Sequence, residues 1–167
     1  MIIEILDKAK KKRIIEKIED FGIKKISQLL IRTGSERIRA FTGNFSNGEI
    51  MSLWKILPFE GVGLYVAKEI SDKHRNTEIR LSVDGINLWK DQIDNHILKL
   101  TKEQEESWFK GKNIEINNFQ KEEIDSYKGY LIIKSSDEKD FIGMGKIGDG
   151  VVYSYLPKER RRKSKEI

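Results

Sequence analysis

Cations are concentrated near the end of the chain, where they directly follow a predicted strand. Residues 141–150 (FIGMGKIGDG) and 151–155 (VVYSY) predict two strands joined by a glycine turn, because valine and tyrosine favour strands and Gly-Asp-Gly favours a tight turn. Pro157 comes next, and after it a basic cluster of Lys158, Arg160, Arg161, Arg162 and Lys163. Cations along one edge of a fold neutralise phosphates, so this pattern predicts binding of a polyanion.

A basic segment at the end of a chain is often a solvated tail that binds nothing. Here the cluster continues directly from a strand and a proline, so its first residues should be held by the fold. We therefore expect Lys158, Arg160 and Arg161 to bind, whereas residues 162–167 are candidates for disorder.

Two other groups of residues could bind nucleic acid, but each also has a structural interpretation. Tyr153 and Tyr155 either stack on bases or pack as ordinary strand aromatics. Arg32, Arg37 and Arg39 lie in or beside a predicted hairpin, where they could contact phosphate. Exposed strand arginines are also common without a ligand, and the sequence leaves both interpretations of the arginines open.

No constellation of catalytic residues is recognisable. The chain has no cysteine, which excludes thiolate nucleophiles, disulfides and zinc-thiolate sites. His74 and His96 have no partner at the spacing of a metal site. The segment Gly61-Val62-Gly63 lacks the third glycine and the helix of a dinucleotide-binding motif, so close packing explains it better. We expect no catalytic residue, no metal and no cofactor.

The composition is that of a folded basic protein. Of the 167 residues, 38% are hydrophobic, which is enough for one sizeable core or two small ones. The net charge of +5 favours an anionic partner, although 27 acidic residues require the basicity to be local. No apolar run approaches the roughly 20 residues of a membrane span, and the start lacks the apolar segment of a signal peptide. We expect a cytoplasmic protein without a membrane partner.

Local patterns predict an α+β protein. The first half is expected to begin with a helix over 1–20, stopped by Gly22, and hairpin strands over 27–32 and 37–42. A second helix, capped by Ser46 and Glu49, is expected to end at Pro58. A strand over 59–67, a polar connector over 68–77, a strand over 78–83 and a turn at Asp84-Gly85 are expected to follow. The second half is expected to contain a strand over 97–100, a helix from the N-cap Thr101 to Gly111, a strand over 114–116, a polar connection over 119–126 and a strand over 127–134. A change in character around His96 divides the chain into domains 1–94 and 95–167.

Several of these segments resemble a PUA domain. They are residues 108–111 (WFKG), 129–134 (GYLIIK), FIGMGKIGDG and 156–161 (LPKERR). More narrowly, the chain is similar to PUA-containing ribosome-biogenesis proteins related to the C-terminal region of Fmu/Sun-type rRNA cytosine-5 methyltransferases. Residues 59–69 and 78–89 are similar to what precedes the PUA domain in such proteins. The two-part layout is also similar to that of the small Nip-type 60S biogenesis factors.

The resemblance implies a mixed-strand pseudobarrel that binds structured RNA (rRNA or tRNA) through a glycine-containing turn and a basic edge. In that family, glycines where the backbone approaches RNA and basic residues beyond the last strand make the contacts. Together with the hairpin arginines, the candidate RNA-binding residues are Gly143, Gly145, Lys146, Lys158, Arg160, Arg161, Arg162, Arg37 and Arg39. The methyltransferases of this family carry a cofactor domain and catalytic cysteines, which this chain lacks, so we expect no enzyme activity.

We therefore expect an N-terminal α/β domain followed by a PUA-like pseudobarrel, acting as a non-catalytic RNA-binding factor in ribosome biogenesis or rRNA/tRNA modification. The first alternative is an adaptor that docks an RNA methyltransferase or a ribosome assembly factor. It predicts an exposed apolar patch on the N-terminal domain that involves Trp54 or Trp89. The second is an enzyme with an unrecognised site, which predicts a deep pocket with converging carboxylates of perturbed pKa.

Overall fold

The chain forms two compact units, Met1–Leu88 and Trp89–Ile167, and the computed structural model describes residues 2–57 and 61–163. Each unit contains helices and a five-stranded sheet of its own, which confirms the α+β fold class. The predicted helix end at Pro58, the start of the predicted strand at Phe59 and the final part of the predicted disorder, residues 164–167, lie outside the described residues.

The sheet of the first unit is antiparallel throughout, and its strands follow the order of the chain. The strands are β1 Ile3–Ile5, β2 Leu29–Thr33, β3 Arg37–Phe41, β4 Leu64–Ser71 and β5 Thr77–Leu81. The predicted hairpin is confirmed, because β2 pairs with β3 and Ile31 lies opposite Arg39. Burial of Leu30, Ile31 and Ile38 fixes the register of this pair against the core.

Three helices accompany this sheet: α1 Lys8–Ile18, α2 Asn47–Ile56 and α3 Val83–Leu88. The prediction of one helix over 1–20 is wrong for the first residues, which form β1 and pair with β2. The helix begins only after Asp7, whose carboxylate accepts a hydrogen bond from the Lys10 N–H at 2.8 Å. Pairing with β2 overrides the helical pattern, since Ile3 then lies in the core.

The capping box predicted for α2 is confirmed. The Ser46 hydroxyl oxygen accepts from the Glu49 N–H at 3.2 Å, and the Glu49 carboxylate accepts from the Ser46 N–H at 2.7 Å. Ile50 is the one fully buried residue of this helix and packs in a cluster with Ile3 and Ile31. The capping residues therefore set the start of α2, and Ile50 with the partly buried Met51 and Trp54 packs the helix against the sheet.

The later part of the first unit corrects three predictions. β4 begins at Leu64 and extends into the predicted polar connector, because it pairs with β3 on one side and β5 on the other. The dipeptide Asp84-Gly85 lies inside α3 instead of forming a turn, and β5 ends before it. Gly85 lies so close to the Val66 carbonyl oxygen that a Cβ would be 2.2 Å from it. A glycine at position 85 therefore allows α3 to pack closely against β4.

The sheet of the second unit is mixed, with the order β6-β8-β9-β10-β7. Its strands are β6 Ile97–Lys99, β7 Ile114–Glu115, β8 Tyr130–Lys134, β9 Phe141–Gly148 and β10 Val151–Ser154. β6 and β8 are parallel, and the other pairs are antiparallel. The strand β8, between β6 and β9, is buried along four successive residues, which agrees with its apolar sequence. The predicted turn between β9 and β10 is confirmed.

Two helices pack in this unit, α4 Lys102–Phe109 and α5 Asn118–Ile124. The predicted α4 is confirmed, with Thr101 as its N-cap and Gly111 just beyond its end. The prediction of a polar connection over 119–126 is wrong, because Asn117 and Gln120 form a capping box that starts α5. Gln120 is buried, and its Nε2–H donates to the Lys99 carbonyl oxygen at 2.8 Å. A polar residue therefore takes a core position that hydrophobic periodicity could not reveal.

Candidate nucleic-acid interface

Trp108 of segment 108–111 contacts segment 141–150, and the resemblance to a PUA domain rests on both. Its indole is fully buried, and the Nε1–H donates to the Ile142 carbonyl oxygen at 3.3 Å. Gly143 lies against the ring with φ of 151°, and a Cβ at this position would be 2.9 Å from the indole Cζ2. Only glycine allows the strand to pass this close to the indole in this conformation.

The neighbouring glycine of β9 has a similar environment. Gly145 is buried, and a Cβ there would lie 2.3 Å from Cγ1 of Val152 on the paired strand. Packing thus accounts for the glycines at positions 143 and 145. The burial of both residues argues against the direct RNA contact predicted for them.

The basic cluster is anchored to the C-terminal end of α4. The Arg162 N–H donates to the Phe109 carbonyl oxygen at 2.7 Å, and the guanidinium carbon lies 4.6 Å from the centroid of the Phe109 ring. The Arg161 Nε–H donates to the Leu156 carbonyl oxygen at 3.1 Å, and this side chain packs over Gly111. The expected disorder is therefore wrong for Arg162. The last carbonyls of a helix carry partial negative charge, which favours cations at this end.

Lys158 and Arg160 lie in one 3₁₀ turn between the last strand and the anchored arginines, and both are exposed. Backbone hydrogen bonds close the turn. The Arg160 N–H donates to the Pro157 carbonyl oxygen at 3.0 Å, and the Arg161 N–H donates to the Lys158 carbonyl oxygen at 3.2 Å. The fold therefore holds the first cations of the cluster, as the strand and the proline predicted. We call Lys158, Arg160, Arg161 and Arg162 the basic edge.

Lys146 lies on β9 between tyrosines of the two neighbouring strands. It is directly opposite Tyr130 of β8 and Tyr153 of β10, and its Nζ lies 5.0 Å from the centroid of the Tyr130 ring. The Tyr130 and Tyr155 rings pack in a T-shaped arrangement with their centroids 5.8 Å apart. Tyr153 and Tyr155 are 45% and 38% exposed, so neither is a core residue.

The hairpin arginines of the first unit do not form one site. Arg32 is directly opposite Ile38, which places it on the other face of the hairpin from Arg37 and Arg39. Its guanidinium donates to the Glu4 carboxylate at 2.7 Å and to the Glu69 carboxylate at 2.6 Å. Two carboxylates therefore neutralise this arginine.

Arg39 and Arg37 have different environments again. Arg39 donates from Nη1 to the Gly63 carbonyl oxygen at 3.2 Å, and Gly61 lies against its side chain, where a Cβ would be 2.2 Å from Nε. This contact supports the packing interpretation of the two glycines. Arg37 is exposed at the start of β3. Of the two hairpin arginines predicted to contact RNA, Arg37 is thus the more accessible.

One cavity among the described residues bears on the prediction of an unrecognised enzyme site. A cavity of about 630 Å³ in the second unit includes Glu123 and Asp137 in its lining. A hydrogen bond of 2.6 Å from the Ser135 hydroxyl lowers the pKa of Asp137, whereas a general acid needs a raised one. No group of three or more potential metal ligands occurs in residues 2–57 and 61–163, and no helix in those ranges is long and apolar enough to cross a bilayer.

No family model matches the chain. A curated relative is the ribosomal RNA small subunit methyltransferase F of Psychromonas ingrahamii, which is 28% identical over 113 residues. The match covers 66% of this chain and 21% of the methyltransferase, so the chain spans about a fifth of the length of that relative. The match supports the predicted relation to rRNA methyltransferases of the Fmu/Sun type.

Proposed function

We propose that this chain is a non-catalytic RNA-binding protein that acts in ribosome biogenesis or in the modification of rRNA or tRNA. Its second unit is a PUA-like domain that binds structured RNA in the cytoplasm. The observation that carries the proposal is the ordered basic edge on the end of α4. Similarity to a protein named as a ribosomal RNA methyltransferase favours RNA over other polyanions as the ligand.

The basic edge has the chemistry of a phosphate-binding surface. Lys158 and Arg160 are exposed on a closed turn, so a ligand does not have to order the backbone that carries them. The Arg162 guanidinium contacts the Phe109 ring, which leaves N–H groups that suit a phosphate as acceptor. These cations bind RNA by replacing its counterions.

The proposal assigns no catalytic step to this chain. The chain corresponds to about a fifth of the methyltransferase that it matches, and it contains no cysteine. In this proposal a separate protein supplies any methyl transfer, and the present chain contributes RNA binding. Purified chain incubated with rRNA and S-adenosylmethionine is then expected to transfer no methyl group. Methylation by the purified chain would contradict the non-catalytic assignment.

The test of RNA binding compares a labelled structured rRNA fragment with duplex DNA of similar length across a salt series. The double variant Lys158→Ala/Arg160→Ala should weaken RNA binding and reduce the salt slope by about one unit for each phosphate contact that is lost. The matched control is Lys8→Ala/Arg13→Ala, which removes one lysine and one arginine from the exposed surface of α1. Unchanged affinity in the first variant would contradict the role of the basic edge.

Adaptor function is the second candidate, and exposed apolar side chains on the first unit favour it. Ile56 and Leu57 at the end of α2 are 75% and 64% exposed, and Phe45 before α2 is also exposed. The predicted involvement of Trp89 is wrong because that side chain is buried, and Trp54 packs partly against the cluster around Ile50. The proposed partner is an RNA methyltransferase. Weak and equal binding to RNA and DNA would place this function first.

A further inference from the structure

The second unit presents an aromatic surface that the basic edge does not use. We call Tyr130, Lys146, Tyr153 and Tyr155 the tyrosine platform. We propose that the tyrosine platform stacks an unpaired base, so that the protein recognises a single-stranded RNA segment beside the phosphates bound at the basic edge. This inference rests on the proposed function and names the RNA feature that the second unit selects.

The strand register places the platform on one face of the sheet. Tyr153 of β10 is directly opposite Lys146 of β9, which is directly opposite Tyr130 of β8. Side chains of directly opposed residues point to the same face, so these three form a row across the strands. Tyr155 follows Tyr153 by two residues, and its N–H donates to the Met144 carbonyl oxygen at 3.2 Å, which continues the pairing with β9. Tyr155 therefore extends the same face.

Each exposed ring of the platform has a neighbour that restricts it: Tyr130 for Tyr155, and Gly148 for Tyr153. Tyr130 is buried, and its ring contacts both the Lys146 ammonium group and the edge of Tyr155. Tyr153 lies close to Gly148, where a Cβ would be 3.3 Å from its Cε2. These contacts restrict the exposed rings before any ligand arrives. A restricted ring loses little conformational entropy on binding, which suits a stacking surface.

The chemistry of the platform selects unpaired bases. A base inside an RNA helix has its faces covered by its neighbours, whereas a base in a loop, bulge or tail can stack on an aromatic side chain. Lys146 beside the rings can neutralise the phosphate of the same nucleotide. Stacking of this kind tolerates every base, so the platform adds selection for single strands without selection for sequence.

The chain connects the platform directly to the basic edge. Tyr155 precedes Lys158 by three residues, which span at most about 10 Å even when fully extended. One RNA strand could thus place a base on the tyrosines and its neighbouring phosphates on the cations. The feature that fits both surfaces is a junction where a helix continues into an unpaired segment.

The experiment measures dissociation constants for three labelled RNAs that share one hairpin: a blunt form, a form with a single-stranded tail, and a form with an abasic tail of equal length. Wild-type protein should bind the tailed hairpin most tightly. Tyr153→Ala and Tyr155→Ala should each weaken binding of that RNA by about fivefold or more and leave the blunt hairpin unchanged. The abasic tail should lose the same advantage, because it keeps the phosphates but has no base to stack.

Two controls separate stacking from charge and from folding. Tyr153→Phe and Tyr155→Phe keep the rings and should retain the affinity for the tailed hairpin. Phe119→Ala removes an aromatic ring of the same unit that is 77% exposed on α5, outside the platform, and should have no effect. The salt slope should not change in any tyrosine variant, because no cation is lost.

The outcomes distinguish this inference from the proposed function. Equal affinity for the tailed and abasic hairpins, or unchanged affinity in both alanine variants, would overturn the platform. The basic edge would remain supported if Lys158→Ala/Arg160→Ala still weakened binding to all three RNAs. Absence of wild-type binding to every hairpin and to the rRNA fragment would overturn both.

Discussion

The hairpin of the first unit and the basic edge of the second unit each contain three arginines that lie close together in the sequence, but the partners of these arginines differ. In the first unit, Arg32 lies between the carboxylates of Glu4 and Glu69, and Arg39 packs beside Gly61. In the second unit, the described contacts of Arg161 and Arg162 are with carbonyl oxygens and an aromatic ring.

This difference decides what each group can do. Carboxylates cancel the charge of an arginine, whereas carbonyl and aromatic partners orient the side chain and leave its positive charge in place. Arg32 is therefore neutralised within the first unit, whereas Arg39 has a carbonyl partner, as Arg161 does, and Arg37 is exposed. The described contacts position Arg161 and Arg162 through carbonyl oxygens and a ring, which leaves the positive charge of these side chains for a phosphate.

The largest effect on stability is expected where β9 passes close to the Trp108 indole. Gly143→Val places a branched side chain against Trp108 in a backbone conformation that favours glycine, and should destabilise the second unit by about 2–4 kcal/mol. Urea unfolding monitored by tryptophan fluorescence measures this change. RNA affinity of the fraction that remains folded should be retained.

Gly48→Ala is the matched control for this prediction, because a Cβ at Gly48 on α2 has no atom within 4 Å. It should leave stability unchanged or slightly raised. A Gly143→Val protein that is as stable as the wild type but binds RNA weakly would instead support direct RNA contact at Gly143.

Effects of intermediate size are expected for single arginine variants. The variant in the first unit should lose stability, and the variant in the second unit should lose RNA binding. Arg32→Ala removes the guanidinium from the half-buried Glu69 carboxylate and should lower the free energy of unfolding by about 1–3 kcal/mol, with RNA affinity unchanged. Arg162→Ala should reduce the salt slope of RNA binding by about one unit and cost about 1 kcal/mol or less of stability. Weaker RNA binding by Arg32→Ala would erase the distinction between the two groups.

The smallest effect is a pH dependence confined to the first unit. Hydrogen bonds from Lys10, and then from Arg32, lower the pKa of Glu4 below its usual 4.5. A lowered pKa in the folded state stabilises the protein above the unfolded pKa, and this contribution is lost as pH falls from about 4.5 through the folded value. Glu4→Gln should therefore show a shallower decrease of unfolding free energy over this acid range in urea titrations. An identical decrease in the variant would show that other groups cause it.

Local signals predicted the elements whose boundaries depend on adjacent residues. The capping residues Ser46 and Thr101, the hairpin of β2 and β3 and the turn before β10 were all readable, because each requires particular residues within a few positions. The strand β1 and the helix α5 were missed for the opposite reason. Pairing with β2 makes Ile3–Ile5 a strand, and a buried glutamine replaces the apolar residue expected in α5.

In the candidate site, too, some features were predictable from the sequence and others were not. The basic cluster and the two tyrosines beside it were visible as residue types, and their position after the last strand suggested that the first cations are held. The contacts of Arg162 with Phe109 and of Gly143 with Trp108 join positions far apart in the chain. Such contacts depend on how α4 packs against the sheet, which no local pattern encodes.

By itself the sequence determined the α+β class, the helix starts at Ser46 and Thr101, and the presence of a cationic cluster after the last strand. Only the tertiary structure decided which arginines are neutralised, which glycines make room for side chains, and which tyrosines are exposed. The physical reason is that charge and residue type are properties of a position, whereas neutralisation, packing and exposure are properties of its neighbours. Those neighbours come from distant segments that meet only when each sheet has formed.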